Sequence, residues 1–129
     1  MKLKYSFNCE ALNFDVAGNL NVLGIFDSIH GETFPYLFPR MVNVNRIEFH
    51  RSEIGKHKFR ANIVNDDGKL VANPVEGEIN IDDRQTNVNI ILEFNGLVFP
   101  EPGTYALDLT IDNQHVTTNK IYVRKQGKT

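Results

Sequence analysis

Hydrophobic and polar residues alternate with a period of two along most of the chain. Near the N-terminus the odd positions are apolar (Leu3, Tyr5, Phe7, Cys9), and in a later segment the alternation is strict (Tyr105, Leu107, Leu109, Ile111). This period is typical of a β-strand with one buried face. No segment shows a 3.6-residue apolar period with capping residues, so we expect no helix or one short turn.

Turn-forming residues separate these strands roughly every ten residues. The clearest turn is Asn65–Gly68, because Asp-Gly readily supplies the positive φ angles of a tight turn. Short strands at this spacing predict an all-β fold, an immunoglobulin-like antiparallel β-sandwich of about seven to nine strands. In that architecture a tyrosine just inside a late strand often bonds back across the preceding corner, and Tyr105 after Pro100–Gly103 fits this role.

Three segments interrupt the simple alternation. The apolar phase moves to even positions at Leu12, which indicates a bulge or bend. Residues 20–29 are apolar on both parities, which predicts a strand that is covered on both faces or bends at Gly24. The apolar phase differs between the two halves of 42–49, so we expect another irregularity near Asn45.

The segment HGETFPYLFPRM (residues 30–41) concentrates aromatic residues and prolines. Pro35 and Pro39 lack a backbone N–H, which favours an extended crossover between sheets without hydrogen bonds. We expect Phe34, Leu37 and Phe38 to close one end of the hydrophobic core. The alternative is an exposed patch for a protein partner, formed by Phe34, Tyr36 and Phe38.

Length and composition limit the class of protein. The 129 residues, 41% of them hydrophobic, predict one domain over 1–124 followed by a polar tail at 125–129. A net charge of −2 and scattered basic residues argue against nucleic-acid binding. Cys9 is the single cysteine, so an intramolecular disulfide and a thiol-ligated zinc site are excluded. The N-terminus lacks an apolar signal-peptide core and no run is long enough for a membrane span, so we expect a cytoplasmic protein.

Several stretches together resemble an uncharacterised bacterial family of about this length. They are CEALNFDVAGNLNVLGIFDSIHGETFP, PRMVNVNRIEF, NDDGK and FNGLVFPEPGTYALDL, and they extend over nearly the whole chain. The family is a domain of unknown function with a predicted immunoglobulin-like sandwich fold. The resemblance therefore implies a stand-alone domain and supplies no catalytic residues.

Two histidines provide the main candidate for a reactive site. His50 and His57 approach each other if the strands on either side of Glu53–Gly55 pair as a hairpin, and Glu48, Asp66 or Asp67 would complete a metal site. The alternative is that both histidines are polar residues at the ends of neighbouring strands.

Other candidates for chemistry have simpler explanations. Asp66–Gly68 resembles a calcium loop less than a tight turn, since the ligand spacing of an EF-hand is missing. Cys9 lies on the apolar side of the first strand and is expected to be buried and inert. Asp27, Ser28 and His30 lack the surroundings of a nucleophile elbow, as does Ser52. No catalytic, cofactor-binding or metal-binding residue is assigned.

These observations leave the biochemical function unknown and support two hypotheses. The first is a non-catalytic binding or assembly module that engages a protein partner, or a second copy of itself, through an edge strand or the apolar crossover. The second is a metal-dependent hydrolase that uses His50, His57 and nearby carboxylates. No cofactor is implied, and the sequence does not identify a small-molecule ligand, a partner or an oligomeric state.

Overall fold

The computed structural model describes residues 1–127, which contain nine β-strands and one 3₁₀ turn, Arg51–Glu53. The number of strands lies within the predicted range. The strands are β1 (Lys2–Phe14), β2 (Leu20–Phe26), β3 (Ser28–Gly31), β4 (Tyr36–Glu48), β5 (Gly55–Val64), β6 (Val75–Ile81), β7 (Asn87–Phe99), β8 (Gly103–Ile111) and β9 (Gln114–Lys125). The last strand extends one residue into the predicted polar tail, and residues 128 and 129 lie outside the described residues.

The strands form two sheets that pack face to face. One sheet has the order β2-β1-β4-β7, and the other has the order β3-β9-β8-β5-β6. The pairs of named strands are antiparallel, as predicted, except that the short β3 runs parallel to β9. The main core lies between the sheets and takes side chains from both, including Met41, Ile90, Ile63, Leu107 and Ile121.

The β1–β2 hairpin folds over the outer face of the first sheet. Pairing of β1 with β4 ends at Cys9, beyond which β1 pairs only with β2. Leu12, Leu20 and Val22 then pack against a second apolar cluster formed by Cys9, Val42 and Val44. The change of apolar phase at Leu12 therefore marks the point where the hairpin leaves the sheet plane.

Gly24 is the bend in β2, with φ +66, and the Glu10 side chain occupies the space where a Cβ would stand. This backbone conformation is readily adopted only by glycine. The alternative prediction, that the strand is covered on both faces, is wrong. Leu23 and Ile25 retain 70% and 61% of their surface in solvent, because nothing among residues 1–127 covers the outer side of the hairpin.

The predicted irregularity near Asn45 is a register shift in the pairing of β4 with β1, between Leu3 and Tyr5 and opposite Ile47 and Arg46, whereas β4 itself is regular. Its register with β7 is continuous from Met41↔Phe94 to Glu48↔Asn87. The apolar phase differs because Asn43 and Asn45 occupy fully buried positions facing the main core, while Val42 and Val44 face the hairpin on the other side. Both faces of this strand are buried, so the polarity of a side chain does not indicate which face of the sheet it points to.

The aromatic segment divides between a short crossover and the start of β4. Phe34, Tyr36 and Phe38 are half-buried and pack against the main core, whereas Leu37 remains 58% exposed. The expectation of a crossover without hydrogen bonds is wrong from Tyr36 onward, because this residue already pairs with β7. Pro39 is accommodated opposite Gly96, whose φ of +71 marks a local irregularity in the partner strand.

Two predicted turns are confirmed in detail. The Asn65 side chain accepts hydrogen bonds from the backbone N–H groups of Asp67 and Lys69, and Gly68 has φ +76. The returning chain forms only an isolated bridge before β6 begins at Val75. The Tyr105 hydroxyl donates to the Glu101 carbonyl oxygen at 2.6 Å, across the corner before β8.

Candidate functional site

The open side of β7 is the most prominent unpaired feature of the sheets. Its thirteen residues pair with β4 along one side, and no strand among residues 1–127 pairs with the other. A strand in this position presents a row of unpaired N–H and C=O groups, which is a template for another extended chain. We call this feature, from Asn87 to Asn95, the β7 edge.

The two faces of the β7 edge differ in chemistry. One face points into the main core and carries only apolar side chains (Val88, Ile90, Leu92, Phe94). The other face is mostly polar (Asn87, Asn89, Ile91, Glu93, Asn95). Glu93 is its single charge and forms a 3.1 Å salt bridge with Arg40. Asn89 accepts a 3.2 Å hydrogen bond from Arg46 Nη1, so both polar groups are oriented from the neighbouring strand.

The other sheet edges carry features that discourage pairing. The β6 edge includes Glu76 and Glu78, and the first of these contacts Arg60 at 2.5 Å. The β3 edge has only four residues, and the β2 edge is bent at Gly24. Charges, short length and bends are the usual protections of an edge strand. Over its nine residues the β7 edge has no lysine, arginine or proline, so it is the least protected of the four.

The predicted partner-contact residues lie at one end of the molecule. Phe34 and Tyr36 contact each other with ring centroids 6.2 Å apart, and Phe38 packs against Phe26 at 5.5 Å. All three are half-buried against the main core. The arrangement supports the core-closing interpretation for these side chains, while the exposed Leu37 faces the same direction as its partner Val98.

His57 joins three segments of the chain. Its Nε2 lies 2.5 Å from the Glu53 carbonyl oxygen, and its Nδ1 lies 2.5 Å from Asp112 Oδ2. The hydrogen bond to Glu53 and then that to Asp112 raise the pKa of His57. Hydrogen bonding by the Lys58 backbone N–H, followed by His57, lowers the pKa of Asp112. Because both ring nitrogens are engaged, His57 acts as a structural tie between the 3₁₀ turn and the β8–β9 turn.

The structure does not assemble the residues of the proposed metal site. His50 caps the 3₁₀ turn through its ring nitrogen, which accepts from the Ser52 backbone N–H at 3.1 Å. Glu48 forms a salt bridge with Lys4, and Asp66 and Asp67 lie in the turn after β5. Within residues 1–127, no group of three or more His, Cys, Asp or Glu side chains has a geometry that could hold a metal ion.

The remaining candidates for chemistry also have structural roles. Cys9 is fully buried as predicted, and burial raises the pKa of its thiol. A thiol in such a place is a weak nucleophile. Ser28 donates to the adjacent Asp27 at 3.2 Å, and Ser28 and His30 lie exposed on β3.

A buried network of amide side chains was missed by the sequence analysis. Asn45 Nδ2 donates to Asn43 Oδ1 at 2.6 Å, and Asn43 Nδ2 donates to Asn8 Oδ1 at 2.9 Å. Ser6 Oγ donates to Asn45 Oδ1 at 2.7 Å and accepts from Asn119 Nδ2 at 2.6 Å. The network therefore connects β1 and β4 to β9 across the core. The alternation of asparagines with valines in VNVN indicates that the two residue types lie on opposite faces of the strand. It does not indicate which face points into the main core, because this depends on what covers the valines.

The network is closed to external ligands at its centre. Asn8, Asn43 and Asn45 are at most 2% exposed, and every buried side-chain nitrogen and oxygen among residues 1–127 has a hydrogen-bond partner. Ser6 and Asn119 line an open groove beside Phe26 and Asp27. Buried polar networks in which every group is hydrogen-bonded make a core rigid and favour one arrangement of it. We therefore assign this network a structural role rather than a role in ligand binding.

The structure thus defines a two-layer all-β protein whose most available site is an open strand edge. Residues 4–124 match the model of a family described as "Family of unknown function (DUF6941)". The match covers most of the chain, so the protein belongs to this family of unknown function. No curated protein matches the chain. No helix in the described part of the chain is long and apolar enough to cross a membrane.

Proposed function

We propose that the protein is a non-catalytic binding module that receives an extended segment of a protein partner along the β7 edge. The observation that carries this proposal is the unpaired side of β7, a long strand with a single charged residue between Asn87 and Asn95. Strand addition at such an edge uses backbone hydrogen bonds for affinity and alternate side chains for specificity. It requires no cofactor.

We further propose that the fold is an immunoglobulin-like sandwich. The order β1-β4-β7 in one sheet and β5-β8-β9 in the other supports this assignment, as does the parallel pairing of β3 with β9. The hydrogen bond from the Tyr105 hydroxyl to the Glu101 carbonyl is the corner typical of that architecture. In such a module, a rigid core holds the β7 edge in an extended conformation before the partner arrives, which lowers the ordering cost of binding.

A cytoplasmic location is part of the same proposal. Its support is the single free thiol of Cys9, which is buried without a disulfide partner. Fractionation of the native host, followed by detection of the chain, tests the location. Recovery from an extracellular or membrane fraction would contradict it.

Amide hydrogen exchange tests the proposed site directly. In an antiparallel sheet, N–H groups of an edge strand point alternately towards the neighbouring strand and towards solvent. We expect the solvent-facing amides of Asn87–Asn95 to exchange rapidly in the free protein and to become protected in a complex purified from the native host. The β6 edge, Val75–Ile81, is the internal control and should not change. Protection confined to another surface, with the β7 edge still exchanging freely, would contradict the proposal.

A further inference from the structure

The residues of the β7 edge form a palindrome of polar and apolar positions centred on Ile91. Reading outward, Ile90 matches Leu92, Asn89 matches Glu93, Val88 matches Phe94, and Asn87 matches Asn95. Each apolar residue thus has an apolar counterpart and each polar residue a polar one. An interface between two identical chains related by a two-fold axis must be self-complementary in this way.

From this pattern we propose that the partner of the β7 edge is a second copy of the same chain. The two β7 strands pair antiparallel with the two-fold axis at Ile91, and the four-stranded sheets join into one continuous sheet of eight strands. This inference rests on the proposed function, because it uses the same edge and names its occupant. Nine residues from each chain would form about eight to ten backbone hydrogen bonds, since alternate pairs exchange two bonds each.

Cross-strand chemistry selects this register over its neighbours. Directly opposed side chains in an antiparallel pair point to the same face of the sheet. The core-facing sides of the two copies therefore align only when the two-fold axis places one residue opposite the same residue of the second copy. An axis at Glu93 would place the two Glu93 carboxylates opposite each other, which is unfavourable. An axis at Ile90 or Leu92 would place Ile91 against Asn89 or Glu93. Only the axis at Ile91 matches apolar with apolar and polar with polar along the whole edge.

The polar pairs in this register have complementary donors and acceptors. Asn89 Oδ1 already accepts from Arg46, which leaves its Nδ2 free to donate across the interface. The residue opposite is Glu93 of the second copy, where Oε1 is engaged by Arg40 and the other carboxylate oxygen can accept. The two-fold axis produces this pair twice. Each half of the interface therefore has an amide donor opposite a carboxylate acceptor.

Disulfide trapping tests both the dimer and its register. Directly opposed residues in an antiparallel pair have Cα atoms about 4.5–5.5 Å apart, within the range that a disulfide bridges. We expect Ile91→Cys to cross-link with itself under mild oxidation. Asn89→Cys and Glu93→Cys should not cross-link alone, but an equimolar mixture of the two should form the mixed dimer. The wild type, with only the buried Cys9, is the control for non-specific oxidation.

The mixture of Asn89→Cys and Glu93→Cys is informative even if Ile91→Cys unfolds, because Ile91 also packs against the second apolar cluster. Light scattering of the wild type should show a dimer that dissociates on dilution. Asn89→Glu should raise the dissociation constant about 2- to 30-fold, since it places like charges opposite each other at two positions. The same substitution preserves the contact with Arg46, and Asn80→Glu on the β6 edge is the matched control.

Two results would overturn the inference. One is a monomeric wild type at all concentrations up to about 1 mM, beyond which association is weaker than ordinary specific binding. The other is a dimer in which the Asn89→Cys and Glu93→Cys mixture cross-links no better than either variant alone. If the chain is monomeric but the β7 amides become protected in a complex with a different protein, the proposed function stands and the second copy is excluded as its partner.

Discussion

Removal of the Asn45 side chain is the sharpest test of the buried network. Asn45 is fully buried and makes three side-chain hydrogen bonds. It donates to Asn43 Oδ1 at 2.6 Å and to the Ile90 carbonyl oxygen at 3.3 Å, and it accepts from Ser6 Oγ at 2.7 Å. The substitution Asn45→Ala removes all three bonds and leaves Asn43 Oδ1 buried without a donor.

The expected cost follows from these contacts. A typical intramolecular hydrogen bond contributes about 1 kcal/mol, and a buried group left without a partner costs about 1–3 kcal/mol. Allowing for overlap between the two effects, we expect Asn45→Ala to lower the free energy of unfolding by about 3–5 kcal/mol. Domains of this size are stable by about 5–15 kcal/mol in total, so the variant should be close to unfolding.

Urea unfolding of matched variants provides the assay. The midpoint should fall while the dependence of free energy on urea stays unchanged, which indicates lost stability without a change in compactness. Asn119→Ala is the control, because it removes one 2.6 Å bond at the half-buried end of the same network, where water can replace the amide. Its cost should be about 1 kcal/mol or less.

A concerted replacement separates unsatisfied polarity from lost packing. Changing Ser6 to Ala and Asn8, Asn43 and Asn45 to Leu removes the other side-chain donors and acceptors of the network together and leaves Asn119, at the half-buried end where water can replace its partner. Such replacements are often neutral or stabilising, whereas the loss of one partner is not. We expect this variant to be more stable than Asn45→Ala. Two results would refute this account of the network. One is a free energy of unfolding of Asn45→Ala within about 1 kcal/mol of the wild-type value, and the other is a concerted variant that is less stable than Asn45→Ala.

Two further predictions concern single hydrogen-bonded side chains. Tyr105→Phe removes the 2.6 Å hydrogen bond across the corner before β8 and should lower the free energy of unfolding in urea by about 1–2 kcal/mol. Tyr122→Phe is the control, and an unchanged urea midpoint for Tyr105→Phe would contradict the prediction. His57→Ala should cost about 1–2 kcal/mol at low pH. Because the pKa of His57 is raised by its hydrogen bonds to the Glu53 carbonyl and to Asp112, its contribution should be complete below the ordinary histidine pKa of about 6.5 and decline as pH rises through the raised value. A difference between wild type and variant that grows with pH above about 6.5 would contradict this assignment.

The hairpin that folds over the first sheet has a consequence for where a partner can bind. It covers Val42 and Val44 and so removes an apolar surface that would otherwise be exposed. The same hairpin carries β2, one of the two edges of that sheet, and bends it at Gly24. These features leave the β7 edge, from Asn87 to Asn95, as the long edge of that sheet that is available for pairing.

Local sequence determined the elements of this protein. Period-two alternation identified β1 from Tyr5 to Cys9 and β8 from Tyr105 to Ile111, because successive side chains of a regular strand point to opposite faces whatever lies beyond them. The turn at Asn65–Gly68 was predicted for a similar reason, since its conformation depends on the Asn65 side chain and the glycine φ angle. The Tyr105 corner also depends on residues only four positions apart.

Tertiary structure decided which faces of the strands are buried and which edge of the sheets can pair with another strand. Asn43 faces the main core and Val44 faces away from it, the reverse of what their polarity alone predicts. A hairpin from elsewhere in the chain covers the valine, and a hydrogen-bonded network with side chains of β1 and β9 satisfies the asparagine. The partner of His57 is Asp112, 55 residues away, rather than the nearby His50. Strand order likewise leaves β7 without a second neighbouring strand among residues 1–127. Burial, pairing and satisfaction of polar groups depend on residues distant in sequence, and local alternation carries no information about them.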